Sequence, residues 1–428
     1  MVVKRSREIN SIRIRTVDFR KMYRKSIPST TYLTHGIHAY TAKLIPHIPK
    51  HFIQKYTRKG NLVLDPFCGS GTTLLEAILL GRNAVGIDIN PLAILISGVK
   101  TALLEVDELS RAIEIMKSSL KNSNNMTLVD FPNIDYWFCE KAQNELYRIK
   151  YCVENSRSKI DARIYKFFLS CFSSIIRKSS FADPRMAKTY KSKRVLEKIR
   201  KGWVPTPIQY FEESLDKNLE RMRNLSESVG SNYNCEVFHG DARETQAILK
   251  NNEINEVDFL ITSPPYINAQ DYFRSYKLEI WWLELSTPEE IRYLNRCTVG
   301  TEIVSRKGYT LKDLTEFQRL DSLLKKIWKI NKRKSYIVYN YFRNMARVFV
   351  QCHNILKRGG YFCLIAGNNT ICNTHIPTHK TFIDIAQNTG FKLVEEVKNK
   401  IKSRALPPKR NHHGGIIKEE WITVFKKS

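Results

Sequence analysis

Residues 61–88, NLVLDPFCGSGTTLLEAILLGRNAVGID, limit the architecture more than any other part of the chain. NLVLD has the length and apolar content of a fully buried strand, and PFCGSG is turn chemistry. TTLLEAILL then reads as a helix closed by Gly81, and RNAVGID as a second strand ending at Asp88. Strand, glycine turn, helix and strand make one βαβ unit, so the two strands are parallel and the fold class is α/β.

Beyond this unit the alternation stops. Residues 100–230 carry helical periodicity, as in EKAQNELYRIKYCVENS and KIDARIYKFFLSCFSSIIRK. Strand patterns return in NCEVFHGDA and VDFLITSPPY, and a second helix-rich segment follows at about 271–345. A helix ending in QCHNILKRGG, the strand YFCLIAGN and two β-like runs, FKLVEEVKNKI and EEWITVFKK, close the chain. The expected organisation is a basic arm (1–30), a first core part (31–100), a helical insertion (101–230), a second core part (231–270), another helical insertion (271–345) and a C-terminal core part (346–428).

Seventy Lys and Arg against 42 Asp and Glu give a formal net charge of +28. An excess of this size favours a polyanion, since each neutralised phosphate releases counterions. No run of 18 apolar residues occurs, which argues against a membrane span, and no apolar block follows the N-terminal charges as a signal peptide requires. Nine cysteines without paired spacing read as reduced thiols, so a cytoplasmic location is expected.

Two places carry chemistry. In DPFCGSGT, Gly69 and Gly71 let the backbone turn tightly and approach a ligand, and Asp88 lies where α/β folds place the partner of a ribose hydroxyl. The turn lacks the GxxxxGK[ST] spacing of a P-loop. Asp65 before it would repel phosphate and suits an ammonium. A ligand with a nucleoside at one end and an amino acid at the other, S-adenosylmethionine, satisfies both ends. The second place is TSPPY, where a strand stops at two prolines that lack N–H groups and fix their own φ. Ser263 Oγ and the Pro264 carbonyl then offer held acceptors for an amino group, with Pro265 stiffening the hook. Tyr266 offers an aromatic face.

DPFCGSGTTLLEA with GIDINP, together with TSPPY and HGIHAYTAKLIPHIP (residues 35–49), resembles the motifs of the AdoMet-dependent DNA amino-methyltransferases. DYFRSYKLEIWWL and RALPPKRN resemble one bacterial and archaeal branch of that family. The resemblance implies a Rossmann-like class I AdoMet-dependent methyltransferase fold with inserted helical segments, S-adenosylmethionine as cofactor and double-stranded DNA as partner. It implies that Asp65 faces the methionine ammonium, that Phe67, Gly69, Ser70, Gly71 and Thr72 line the methionine end, and that Asp88 holds the ribose. Asp241 would sit near the adenine amino group, and Lys43 would close over the cofactor. Catalysis falls to Ser263, Pro264, Pro265 and Tyr266, the last stacking on a flipped-out base. Serine at the first motif position leans towards N(4) of cytosine, with N(6) of adenine or an RNA base as alternatives. A role as the modification half of a restriction–modification system, beside a cognate endonuclease, is the expected context.

Other features weigh less. Cys363, Cys372, His375 and His379 have no spacing of a known zinc site, so no metal is expected. Cys68 reads as a small packing residue, Trp281 and Trp282 as core, and His412 and His413 as part of a basic surface loop. FADPRMAKTYKSK (residues 181–193) has the mixture of a loop that contacts phosphate or bases. Target recognition is expected to be shared between the two insertions.

Overall fold

The computed structural model describes residues 14–27, 29–186, 188–230, 233–267, 271–304, 315, 317–401 and 419–428. The first thirteen residues of the basic arm, the motif RALPPKRN, and His412 and His413 lie outside the described residues, as do Ala187 and most of 305–316. The strands are β1 (Arg15–Val17), β2 (Leu62–Asp65), β3 (Asn83–Asp88), β4 (Cys235–His239), β5 (Val257–Thr262), β6 (Leu356–Gly367), β7 (Asn369–Ile371), β8 (Thr374–Ile376), β9 (Phe391–Lys400) and β10 (Glu419–Lys427). Eight of them form one sheet in the order β1-β9-β10-β6-β5-β2-β3-β4, and β7 and β8 form a separate hairpin. Every pairing in the large sheet is parallel except the two made by β10, which runs antiparallel to β6 and β9. This is a Rossmann-like α/β fold, as the first βαβ unit requires.

The central strands are apolar on both faces because helices cover both. Val63, Phe259, Ile261, Cys363, Ile365, Ile422 and Val424 face one side, with the helices His47–Tyr56 and Thr72–Leu79. Their neighbours Leu64, Leu260, Phe362, Leu364 and Phe425 face the other, with the helices Lys332–Ile355 and Thr378–Asn388. The period of two along each strand sets this division, and it explains why these strands read as continuous apolar runs.

The insertions divide differently from the expected boundaries. Helices Val106–Asn122, Glu140–Ser156, Ala162–Ser179 and Pro207–Ser228 share a core with Phe273, Tyr276, Leu278 and Trp282. The helix Tyr272–Trp282, at the start of the second helix-rich segment, therefore packs into the first insertion, with Phe131, Phe138, Tyr147 and Phe172 around the buried Trp282 indole. The later helices Gln318–Ile330 and Lys332–Ile355 contribute to the core on the sheet instead. Two further details depart from the sequence reading. Arg15–Val17 of the basic arm adds a parallel edge strand to β9. The ILKRGG stretch leaves the helix at Ile355, and β6 begins at Leu356, opposite Val257.

A buried polar layer holds the helix Thr72–Leu79 beneath the glycine turn. Glu76 Oε1 accepts the Tyr32 hydroxyl and lies 2.8 Å from His35 Nε2. Burial raises the Glu76 carboxyl to about 7 and pushes His35 well below its ordinary value, so the two meet as a neutral hydrogen-bonded pair and not as an ion pair. Beside them Lys100, 1% exposed, points its ammonium at the Ser70 hydroxyl 3.3 Å away, and burial lowers its pKa strongly. Gly71 opens the helix with φ +74°, and a Cβ there would stand 2.8 Å from Ser97 Cβ.

Gly71→Ala therefore combines backbone strain with a steric clash and is expected to cost about 1–3 kcal/mol in urea unfolding. A carboxyl raised on folding contributes stability that is full below its unfolded pKa and is lost as pH rises through about 7. Glu76→Gln preserves the neutral geometry, so wild type should lose on the order of 2–3 kcal/mol relative to this variant between about pH 4 and 8. Urea unfolding across that range reads the difference.

Candidate active site

The sheet changes winding direction between β2 and β5, which are parallel neighbours although β3 and β4 intervene in sequence. At such a switch point the loops leaving the two strands diverge and open a crevice at the carboxyl edge. Asp65 ends β2 and Ser263 follows β5 directly. The Thr262 hydroxyl donates to Asp65 Oδ1 at 2.6 Å and ties the two strand ends together. A cleft open to solvent lies above them.

Asp65, Phe67, Gly69, Ser70 and Thr72 line this cleft on the glycine-turn side. Lys43, Asp88, Asp241, Ser263 and Pro265 close it from the remaining sides. Gly71, Pro264 and Tyr266 are not part of its wall. Gly71 lies behind the turn against Ser97, and Pro264 is buried. Tyr266 extends towards β10, where its hydroxyl is 3.4 Å from Glu420 Oε1, and it shares a hydrogen bond with Ser263.

Local chemistry accounts for each position. Asp65 is 4% exposed and accepts from the Thr262 and Thr73 hydroxyls and from the Phe67 N–H at 3.1 Å. Burial nevertheless raises its carboxyl to about 6. Asp88 accepts the Gly69 N–H and the Asn90 N–H, both at 2.9 Å, so it shapes the glycine turn while lining the cleft. Gly86, just before it, lies against Cys68: a Cβ there would stand 2.9 Å from the Cys68 sulfur. Cys68 is a buried packing residue, and burial drives its thiol pKa far up. Asp241 caps the short 3₁₀ turn Ala242–Glu244, and both its oxygens are held by the Arg243 guanidinium. That guanidinium also donates to Asn344 Oδ1 (3.0 Å) and the Cys297 carbonyl (2.7 Å). Lys43 donates to the His35 carbonyl at 3.0 Å.

The Ser-Pro-Pro-Tyr hook is fixed along its length. Thr262 anchors its start, Glu420 receives Tyr266, and Asn369 Nδ2 donates to the Ile267 carbonyl at 3.0 Å. Glu420 is itself held by Asn399 at 3.2 Å.

The sequence reading did not single out several residues of the cleft. Tyr40, Tyr272 and Phe273 line it, and the Tyr40 ring stacks on Tyr276 (4.8 Å, 6°) and Tyr272 (6.2 Å, 13°). Asn90 Nδ2 donates to the Tyr40 hydroxyl at 3.2 Å. HAYTAK, GIDINP and DYFRSYK contain these aromatics and this amide, so the family motifs held the signal. Cys297, Thr298 and Val299 also line the cleft, and no local pattern marks them. Cys363 lies within β6, while His379 stacks on Trp421 (4.0 Å) and hydrogen-bonds to Asn368 (2.8 Å). No group of three or more His, Cys, Asp or Glu able to hold a metal occurs among the described residues.

The family model described as DNA methylase matches residues 4–97, and that described as RMKL-like, methyltransferase domain, matches 54–143. The type II methyltransferase M.MvaI of Kocuria varians is 26% identical over 93% of this chain and 92% of its own length. The type II methyltransferase M.BsoBI of Geobacillus stearothermophilus is 25% identical over 86% and 80%. Among solved structures, the rRNA methyltransferase AviRa of Streptomyces viridochromogenes covers 91% of this chain and 88% of its own, at 9% identity and a TM-score of 0.31, too low to carry an argument. The chain is thus similar to DNA methylases over its first motifs and, along nearly its whole length, to type II methyltransferases.

Proposed function

We propose that the protein transfers a methyl group from S-adenosylmethionine to the exocyclic amino group of a base in duplex DNA, with N(4) of cytosine as the target, and that it serves as the modification enzyme of a restriction–modification system. The observation that carries this reading is the adjacency of Asp65 and Ser263 on neighbouring strand ends, opening into one cleft with Asp88. The residues present fit S-adenosylmethionine: a buried carboxyl for an ammonium, a glycine turn exposing backbone at Gly69 (φ +50°), and a second acid one strand away for a ribose.

When bound, S-adenosylmethionine supplies an electrophilic methyl group on a sulfonium. The chain's residues orient the partner of that methyl. Conjugation with the ring makes a base amino group a poor nucleophile. Ser263 Oγ, on the cleft wall, accepts one of its hydrogens, favouring a pyramidal nitrogen whose lone pair is free to attack in line, while the buried Pro264 stiffens the hook that carries the serine. Catalysis on this reading is mostly positioning, so a hook anchored by Thr262, Asn369 and Glu420 suits it. Tyr266 acts as a positioning residue through its hydrogen bond to Ser263. The aromatic face for a base extruded from the stack comes from Tyr272, which lines the cleft where Tyr266 does not. Ser263 at the first motif position is the support for cytosine.

Nucleoside mass analysis of DNA from cells expressing the chain should reveal N(4)-methylcytosine, reduced at least about 100-fold by Ser263→Ala. N(6)-methyladenine would overturn the base assignment, and absence of both marks would overturn the reaction. Calorimetric titration should show cofactor affinity holding above pH 7 and weakening below about 6, as Asp65 takes up a proton and loses its charge. Asp65→Asn should bind roughly tenfold or more weakly at pH 8 and lack that inflection.

A further inference from the structure

The helix Lys332–Ile355 runs directly into β6, which is parallel to β5. Its C-terminus therefore lies at the amino edge of the sheet and its N-terminus points past the carboxyl edge, where the cleft opens. Twenty-four residues of helix extend about 36 Å, whereas the six residues of β5 cover only about 20 Å. The hydrogen bond from Arg243 to Asn344 marks the level of the cleft on this helix, because Arg243 also holds the lining residue Asp241. From Asn344 to Lys332 about 18 Å of helix remains. The helix Gln318–Ile330 returns alongside it. Leu320, Leu324 and Ile327 share a core with Ile337, Val338 and Tyr341, and the Ser335 hydroxyl donates to the Leu324 carbonyl at 2.9 Å. The pair is a braced arm standing above the active-site edge.

The arm is built for an anion. No Asp or Glu occurs in the sequence between Asp321 and Asp384. Lys325, Lys326, Lys329 and Lys332 are exposed at and near the tip, and none forms an ion pair among the described residues. Ile330, 64% exposed, sits between the last two. Arg333 and Lys334 fix the base of the tip to Glu302, a few residues beyond the cleft-lining Val299. The basic helix Lys193–Arg200 in the first insertion differs: Glu197 lies within it, paired with Lys201. We propose that the hairpin Gln318–Ile355 is the arm that grips duplex DNA beside the target base, with Lys325, Lys326, Lys329 and Lys332 on the phosphate backbone. The proposal rests on the reading of DNA as substrate.

The full-length protein carrying Lys325→Gln, Lys326→Gln, Lys329→Gln and Lys332→Gln tests it, against a comparison variant carrying Lys193→Gln, Arg194→Gln, Lys198→Gln and Arg200→Gln. Affinity for a mixed-sequence duplex of about three helical turns is measured across salt concentrations. S-adenosylmethionine titration monitors the fold. The hairpin variant should bind cofactor as wild type does, lose at least about tenfold in duplex affinity, and flatten the log affinity against log salt slope by about 3. A slope unchanged in the hairpin variant and flattened in the comparison variant overturns the proposal. Should the fourfold variant fail to bind cofactor, Lys329→Gln with Lys332→Gln is the substitute, with an expected flattening of about 1–2 and an unchanged slope again overturning the proposal. Wild type that binds cofactor but shows no salt-dependent affinity for the duplex overturns the DNA reading itself, a result distinct from failure of the hairpin alone.

Discussion

The hydrogen bond from Thr262 to Asp65 joins two strands that the chain reaches by opposite windings, and the site depends on that junction. β2 hands over to a glycine turn that leads the chain towards β3. β5 hands over to a proline hook that leads it away. Only where neighbouring strands part company in this manner can a carboxyl and a serine hydroxyl, nearly two hundred residues apart in sequence, share one opening. The remaining elements either support this junction from below or cover it from above.

Support from below is polar and dry. Glu76, His35 and Lys100 are buried under the glycine turn beside the half-buried Tyr32, and lack of solvent shifts each of the three towards its uncharged state. A layer of this kind fixes geometry through hydrogen bonds without projecting a strong field into the cleft. The outer surface is the opposite: charged, wet and strongly positive. The molecule thus separates two electrostatic tasks, with neutral hydrogen bonding inside and long-range attraction outside.

The sequence carried the inner sheet clearly because both faces of β2, β3, β5 and β6 are buried and leave continuous apolar runs, punctuated by Gly71 and Gly81. It carried β1 poorly: Arg15–Val17 is mostly exposed and owes its form to pairing with β9, nearly four hundred residues on. The glycines of ILKRGG looked like a helix-ending turn, yet they lie within β6, at the register shift between the pairs Val257–Leu356 and Phe259–Tyr361. At the site, motif spacing located Asp65, Asp88 and Ser263 within one cleft, but side-chain direction was not legible. Tyr266 is drawn outward by Glu420, 154 residues away. Cys297–Val299 line the cleft with the Cys297 carbonyl held by Arg243, far away in sequence. Contacts of that range leave no periodic trace in the chain.

The Trp282 core has a consequence for how such a protein can change over evolutionary time. The first insertion is sutured through Phe131, Phe138 and Phe172 to the helix whose first turn, at Tyr272 and Phe273, forms part of the cleft wall. Exchanging that insertion for another would disturb the cleft along with it. The Gln318–Ile330 helix meets the rest of the chain chiefly through its partner and the sheet-side core, so it can be rewritten with less disturbance to the cleft. The architecture contains one lobe bound to the cleft and one free to drift, and diversity among related chains should accumulate in the second.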